Sequence, residues 1–274
     1  MMTINCKGKL IDFSTPRVMG ILNITPDSFF DGGAYKNEAE ILQHVEKMHT
    51  EGATFIDVGA YSSRPSATHI SEEEELQRIV PIIELLIANF PDVLISVDTF
   101  RSNVAQQTIE AGAAIINDIS GGISDKNMFS TVAELQVPYI VMHMLGTPQN
   151  MQQNPQYDDV TKEVISFFAE QLFNLHQLKV NDVLIDVGFG FGKTIEHNYE
   201  LLKNLDLFQN LNAPILAGIS RKSMLYKPLE LTPKTALNAT TSANTIALLN
   251  GANILRVHDV KEAMEAIKIV GQIN

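Results

Sequence analysis

The chain reads as an α/β protein, a single (β/α)8 barrel, and three features of its 274 residues predict this. A short apolar, β-branched run, then a loop, then an amphipathic helix recurs eight times, the alternation that gives parallel strands with helical crossovers. Eight such units in about 250 residues are the number and size at which a parallel sheet closes into a barrel. The first run also lacks a GxGxxG turn, which sets the alternative, a doubly wound open sheet, behind the barrel. No linker-like change of composition divides 1–274, so one domain with an N-terminal extension over 1–16 is expected.

In order, Thr3–Phe13 suggests a short strand or hairpin closing the bottom of the fold. Run one is Val18–Asn23. Asn37, with Glu40 three residues on, is a capping box that predicts a helix over about Glu38–Glu51. Between them Thr25-Pro26-Asp27 and Asp31-Gly32-Gly33 supply turn chemistry. That loop is about a dozen residues where roughly 2–6 are usual, so Ile24–Gly33 is expected to be either a lid or an idle excursion. Run two is Thr54–Gly59, followed by a second capping signal, Ser71 with Glu74, and a helix towards Ala88. Run three, Val93–Val97, ends on Asp98-Thr99 and leads to a helix over about Arg101–Ala111. Run four, Ala114–Ile116, ends on Asn117-Asp118 before a helix near Lys126–Leu135. Run five is Tyr139–Met142, ending on His143, with a helix from about Asp159 to Leu178. Run six is Val183–Val187 with a helix about Glu196–Leu207. Run seven, Ile215–Ile219, ends on Ser220-Arg221-Lys222 before a helix over Pro233–Leu249. Run eight is Ile254–Val257, reaching His258, and the last helix is Val260–Val270.

A hydrophobic fraction of 45% and a charged fraction of 19% suit a soluble globular protein with a large core. The net charge of −12 argues against nucleic acid or an anionic membrane as partner. No apolar run approaches the roughly 18 residues of a membrane span, and MMTINCKGKL lacks the apolar core of a signal peptide. The single Cys6 rules out an internal disulfide and a cysteine-built metal site. A cytoplasmic enzyme is the expectation.

In such a barrel the C-terminal strand ends form the active-site face. Those ends carry Asn23, Asp57, Asp98, Asn117, Asp118, His143, Asp186, Lys222, Arg256 and His258, which predicts one polar pocket. Arg64, Arg221, Lys222, Arg256 and His258 form a cationic set. They read as an anion site where barrels often bind phosphate, or else as ion pairs with neighbouring acids. Asp98, Asn117 and Asp186, with Lys222, match the alternating donors and acceptors of a flat heterocycle, or else a structural acid network. Gly188–Thr194 ends in GKT like a P-loop, but the position that needs the first glycine is Val187, so the spacing fails. His143 between Met142 and Met144 reads as core and rim.

Taken together, GILNITPDSFFDGG, DVGAYSSRP, SVDTFR, INDISGG, VMHM, DVGFGFGKT, GISRKSM and RVHDV resemble the dihydropteroate synthases, and they span nearly all of the predicted barrel in that family's order. The resemblance implies a transferase of folate biosynthesis and a sulfonamide target. Such enzymes join 6-hydroxymethyl-7,8-dihydropterin diphosphate to p-aminobenzoate and release pyrophosphate, with Mg2+ on the diphosphate. By position it implies a pterin pocket of Asp98, Asn117, Ile119, Met142, Asp186, Gly218 and Lys222. It implies diphosphate contacts from Asn23, Arg64, Arg256 and His258, with Asn23 also the metal ligand. It places p-aminobenzoate among Phe29, Ser63, Pro65, Phe191 and Ser223, with Asp31 on the lid. Lys222, Arg256 and His258 are the residues to which it implies catalysis, and a homodimer through late helices is the implied assembly. Two departures stand out: the family's usual Gly-Glu-Ser-Thr-Arg-Pro-Gly is Ala60–Ser66 here, with Tyr61 for the glutamate and Ser63 for the threonine, and Val187 replaces a usual proline. A pterin-binding methyltransferase barrel, or a binding-only barrel without catalysis, is the alternative reading.

Overall fold

The computed structural model describes residues 2–24, 34–62 and 69–273, with the side chains of 34–37 outside the description. Phe29, Asp31, Ser63, Arg64 and Pro65, and all but the first residue of the expected lid, therefore lie outside the described residues.

β1 (Thr3–Cys6) and β2 (Lys9–Asp12) form an antiparallel hairpin. Eight parallel strands follow: β3 (Arg17–Asn23), β4 (Phe55–Gly59), β5 (Leu94–Asp98), β6 (Ile115–Asp118), β7 (Tyr139–Met142), β8 (Val183–Asp186), β9 (Ile215–Ala217) and β10 (Ile254–Val257). They close in chain order, β10 pairing with both β9 and β3. The crossovers are α1 (Ala34–Thr50), α2 (Glu72–Asn89), α3 (Ser102–Glu110), α4 (Met128–Leu135), α5 (Val160–Gln177) and α6 (Ile195–Lys203), then α7 (Ser223–Tyr226) and α8 (Leu237–Leu249), with α9 (Val260–Val270) last.

Residues two apart on a strand share a face. The inward face of these strands begins apolar and ends polar: Phe55 then Asp57, Leu94 then Ser96 and Asp98, Ile115 then Asn117, Leu184 then Asp186, Ile254 then Arg256. The apolar members, with Met19, Ile140 and Leu216, pack in one cluster with Ile4, Cys6 and Phe13, so the hairpin segment is the barrel floor. Burying each large side chain contributes roughly 1.5–3 kcal/mol. Burial pushes the Cys6 thiol up to about 12, leaving it an uncharged core group at neutral pH. The outward face, including Val18, Ile56, Val97, Val141, Ile185 and Val257, packs under the helices.

Three element boundaries differ from expectation. α1 opens at Ala34, so Asn37 and Glu40 lie inside the helix rather than at its cap. Its buried stripe of Ile41, Val45 and Met48 anchors it to the barrel, and tertiary packing of that kind outweighs a local capping signal. The helix expected over 196–207 stops at Lys203 and continues as a 3-10 turn, Leu205–Leu211. Leu205 and Phe208 are both buried, and their spacing of three suits the tighter turn. The Asn250 side chain donates to the freed Leu202 carbonyl at 2.8 Å. The helix expected from Pro233 is a 3-10 turn, Pro233–Thr235, and then α8. The Ser71 cap is as expected, its hydroxyl accepting from Glu74 N at 3.1 Å.

Candidate active site

The strand ends meet in a polar floor centred on Asp57. Its carboxylate is fully buried and accepts from Ser96 Oγ at 2.6 Å, Asn117 Nδ2 at 3.0 Å and Arg256 Nε at 2.6 Å. Arg256 Nη2 also reaches Asp98 Oδ2 at 3.1 Å. Strand parity dictates this meeting, because Asp57 and Ser96 are register partners and so are Asp98 and Asn117. Burial lowers the Arg256 guanidinium's affinity for its proton, but Asp57 and Asp98 outweigh that and hold it above its ordinary value. Burial pushes Asp98 up to about 7 against the pull of Arg256. A buried ion pair of this kind adds little net stability; what it does is fix a guanidinium in one orientation, with two of its five N–H groups bound to acids and the others available to an anion.

A second cluster sits over Gly218. A methyl group built there would stand 3.5 Å from Asp186 Oδ2 and 3.7 Å from Lys222 Nζ, so the acid and the lysine share the space glycine leaves. Asp186 Oδ1 accepts from Gly188 N at 2.8 Å. Lys222 Nζ donates to the Phe189 carbonyl and lies 4.8 Å from the centroid of the Phe191 ring. Burial raises Asp186 against the influence of Lys222, and burial lowers Lys222 to about 8 against the pull of Asp186. Ile119 and Met142 are buried, and Asn23 Oδ1 borders Gly59 beside Asp98. His258 Nδ1 and Ser220 Oγ are 2.9 Å apart. Ser223 opens α7 directly after Lys222.

Three strand-end residues do not join the pocket. Asp118 lies one residue past Asn117 and faces the helices, where it accepts from Tyr139 OH at 2.6 Å and from Ser120 and Gly122 N–H groups. His143 is likewise outward, its Nδ1 bound to Lys193 Nζ at 2.9 Å; burial lowers that imidazole to about 2, so it is neutral. Arg221 grips Asp259 through two bonds of 3.0 and 2.6 Å, the ion-pair alternative rather than the anion site. Lys193, the lysine of GKT, points inward onto backbone carbonyls instead of outward to a phosphate, which removes the NTPase reading.

Sequence reasoning gave Asp57 no role beyond its strand end and passed over Ser96; the two-residue alternation back from Asp98 was the available signal. It also missed the network among the described residues on either side of 63–68. Tyr61 OH bonds His69 Nδ1 at 3.2 Å and accepts from Gln149 Nε2 at 3.1 Å, with its ring edge-on to Phe100. Arg101 crosses from the end of β5 to pair with the fully buried Glu75 and donates to the Ile70 carbonyl at 2.7 Å. Thr99 Oγ1 completes the shell of Glu75 at 2.8 Å. Arg101→Ala strands that carboxylate, and the unfolding free energy is expected to fall by roughly 3–5 kcal/mol near neutral pH, read from urea midpoints. Burial raises Glu75 above its ordinary value. The cost of a charged Glu75 therefore grows as pH rises from the ordinary carboxylate range and is complete above its raised folded pKa, so the loss is expected to shrink as pH falls through that raised value and the carboxyl takes a proton.

Comparison with known proteins places this arrangement. The family model described as pterin binding enzyme matches residues 19–258. Dihydropteroate synthase of Escherichia coli strain K12 is 44% identical over 271 residues, covering 98% of this chain and 95% of that one. Among solved structures, Yersinia pestis dihydropteroate synthase with a sulfonamide drug superposes with a TM-score of 0.92 at 42% identity, covering 99% of each chain. Dihydropteroate synthase from Xanthomonas albilineans in complex with 7,8-dihydropteroate gives 0.89 at 35% identity, covering 99% of this chain and 98% of that one.

Proposed function

The chain belongs to the dihydropteroate synthases of the pterin-binding enzyme family, transferases that join 6-hydroxymethyl-7,8-dihydropterin diphosphate to p-aminobenzoate in folate biosynthesis, and we propose how its own residues divide that work. The observation that carries the proposal is the pairing, on one barrel mouth, of an acid–amide set with a fixed guanidinium. Asp186 accepts N–H bonds from the amino-pyrimidinone edge of the pterin, and Asn117 and Asp98 take its other polar atoms, with Ile119, Met142 and Gly218 against the ring faces. Lys222 donates to the ring's acceptors.

Cleavage of the methylene–oxygen bond moves negative charge onto the departing diphosphate. Arg256 and His258 receive it from a preorganised position, so the charge is stabilised without reorganisation, and Arg64 is assigned to the same anion. The electron-rich dihydropterin supports the cation-like methylene, and the aniline nitrogen attacks it; no protein nucleophile is required. Phe191 and Ser223, with Phe29, Ser63 and Pro65, surround the p-aminobenzoate. A magnesium ion held mainly by diphosphate oxygens needs few protein donors, and the hard amide oxygen of Asn23 suits it. When bound, Mg2+ would neutralise charge on the leaving group. A cytoplasmic homodimer completes the proposal. α8 turns Ala239, Ala243, Ala247 and Leu248 into the core, while Ile246 and Leu249 are exposed and offer an apolar face to a second copy; the particle mass in solution decides it.

The deciding experiment is pyrophosphate release from the pterin diphosphate. Release that needs p-aminobenzoate and stops with EDTA supports the proposal, and release indifferent to p-aminobenzoate sinks it. The pH profile is a further expected outcome. The specificity constant kcat/KM for the pterin diphosphate should rise through about 7, as Asp98 loses its proton and becomes a full acceptor, and fall beyond about 8, as Lys222 becomes neutral. Lys222→Arg should carry the falling limb to higher pH.

A further inference from the structure

We propose that Lys193 is a positioning residue for the transfer: it fixes the loop 188–193 so that the Phe191 ring is held on the p-aminobenzoate side of the mouth, and it does so without touching either substrate. The inference rests on the assignment of Phe191 to the p-aminobenzoate side.

Five consecutive carbonyls of this loop each accept a hydrogen bond from a side chain. Gly188 O and Phe191 O both accept from Lys193 Nζ at 3.0 Å. Between and beyond them, Phe189 O accepts from Lys222, Gly190 O from Gln152 Nε2 at 2.7 Å and Gly192 O from Tyr157 OH at 2.8 Å. The same lysine reaches His143 O at 3.2 Å and His143 Nδ1, tying the loop to the end of β7. Gln152 and Tyr157 each hold one carbonyl and Asn198 ties Gly190 N to the start of α6, while Lys193 holds two carbonyls of the segment and the end of the neighbouring strand as well.

Two glycines show how tightly the segment is seated. Gly188 and Gly192 have φ of +68° and +62°, and a Cβ there would stand 1.9 Å from His143 O and 2.4 Å from Leu145 O. The backbone is pressed against the chain that follows β7, and Lys193, 3% exposed, donates to the Phe191 and His143 carbonyls there and shares the Gly188 carbonyl with Phe191 N. An ammonium has three donors and no acceptor, and the four acceptors around Lys193 Nζ share them. Removing it takes the lysine's bonds from the Phe191 carbonyl and from the His143 carbonyl and Nδ1, and frees the Phe191 end of the segment to relax. The group most affected is the Phe191 ring, two residues before the lysine. Gly218 and Asn117 stand on or next to strands outside the loop, and Gly188, whose N–H Asp186 accepts at 2.8 Å, keeps its Phe191 N–H bond when the lysine is removed.

Lys193→Met keeps the length and apolar stem of the side chain. The expected result is a KM for p-aminobenzoate raised about tenfold or more, while the calorimetric Kd for the pterin diphosphate stays within about threefold. Amide-exchange protection over 188–194 is expected to drop in the same variant, a readout that does not depend on turnover. Unchanged KM for p-aminobenzoate, or equal weakening of both substrates, overturns the proposal. Should Lys193→Met fail to fold, Gln152→Ala, on an exposed side chain, and Tyr157→Phe each remove one tie. Each is then expected to raise the same KM about two- to fivefold and leave pterin binding alone, and no change in either overturns the proposal. Wild-type turnover measured alongside separates failure of the reaction assignment, where no pyrophosphate appears, from failure of the Lys193 role, where turnover is normal and the variants match wild type.

Discussion

Arg256→Ala is expected to cut turnover by roughly 10²–10³-fold, the usual loss when one preorganised donor to a developing anion is removed. The effect should fall mainly on kcat, because the charge on the leaving diphosphate grows between ground state and transition state. The geometry explains why no neighbour substitutes. Arg256 is held by Asp57 at 2.6 Å and by Asp98 at 3.1 Å, and its position on the inward face of β10 puts its free N–H groups at the barrel mouth. Arg221 and Arg101, both on described strand-end loops, are committed to Asp259 and Glu75. Arg256→Lys keeps the charge but loses the planar fork, so it cannot bind both acids and an anion together; partial activity is expected. Steady-state pyrophosphate release measures both variants. Because the alanine variant leaves two buried acids without their partner, its circular dichroism and urea midpoint must accompany the kinetics. A folded Arg256→Ala enzyme with wild-type kcat would remove Arg256 from the leaving-group site.

Asp186→Asn is expected to weaken binding of the pterin diphosphate by on the order of 10²–10⁴-fold, two charge-assisted hydrogen bonds being worth roughly 1.5–3 kcal/mol each. The substitution preserves shape, so the loss reports chemistry. The amide oxygen can still accept from Gly188 N, as Asp186 Oδ1 does at 2.8 Å. That choice turns the NH2 towards Gly218 and Lys222, placing a donor where the pterin edge also presents donors and where the lysine is cationic. Titration calorimetry with the pterin diphosphate measures the change. Binding within threefold of wild type would mean that the pterin edge is read elsewhere. p-Aminobenzoate contacts made through Phe191 are not expected to weaken in parallel, so this variant and Lys193→Met should separate the two halves of the site.

Much of this site was legible before any coordinates. The strands Tyr139–Met142 and Ile254–Val257 and the helix Val260–Val270 are where periodicity put them, because continuous β-branched runs and a 3.6-residue stripe are local signals that burial then reinforces. Asn117, Asp186 and Arg256 were recognisable for the same reason: each follows an apolar residue at a spacing of two and must share its inward face, as Asp98 does with Leu94 at a spacing of four. Asp118 and His143 show the limit of reading by strand end alone. Each sits one position from an inward residue, and a shift of one reverses the face.

The sequence by itself therefore determined the eightfold alternation, the hairpin floor, the family to which the motifs belong and the set of polar residues available at the barrel mouth. Those properties reside in spacing and residue type, which a chain carries whatever its conformation. Only the tertiary structure decided the partners. Asp57 became the centre of the floor because Ser96, Asn117 and Arg256, distant in sequence, converge on it when β10 closes against β3. Arg221 became an ion pair, Tyr61 a bracket between loop stems, and the GKT lysine an internal staple, since hydrogen bonds and ion pairs depend on distances of about 3 Å that no local pattern encodes.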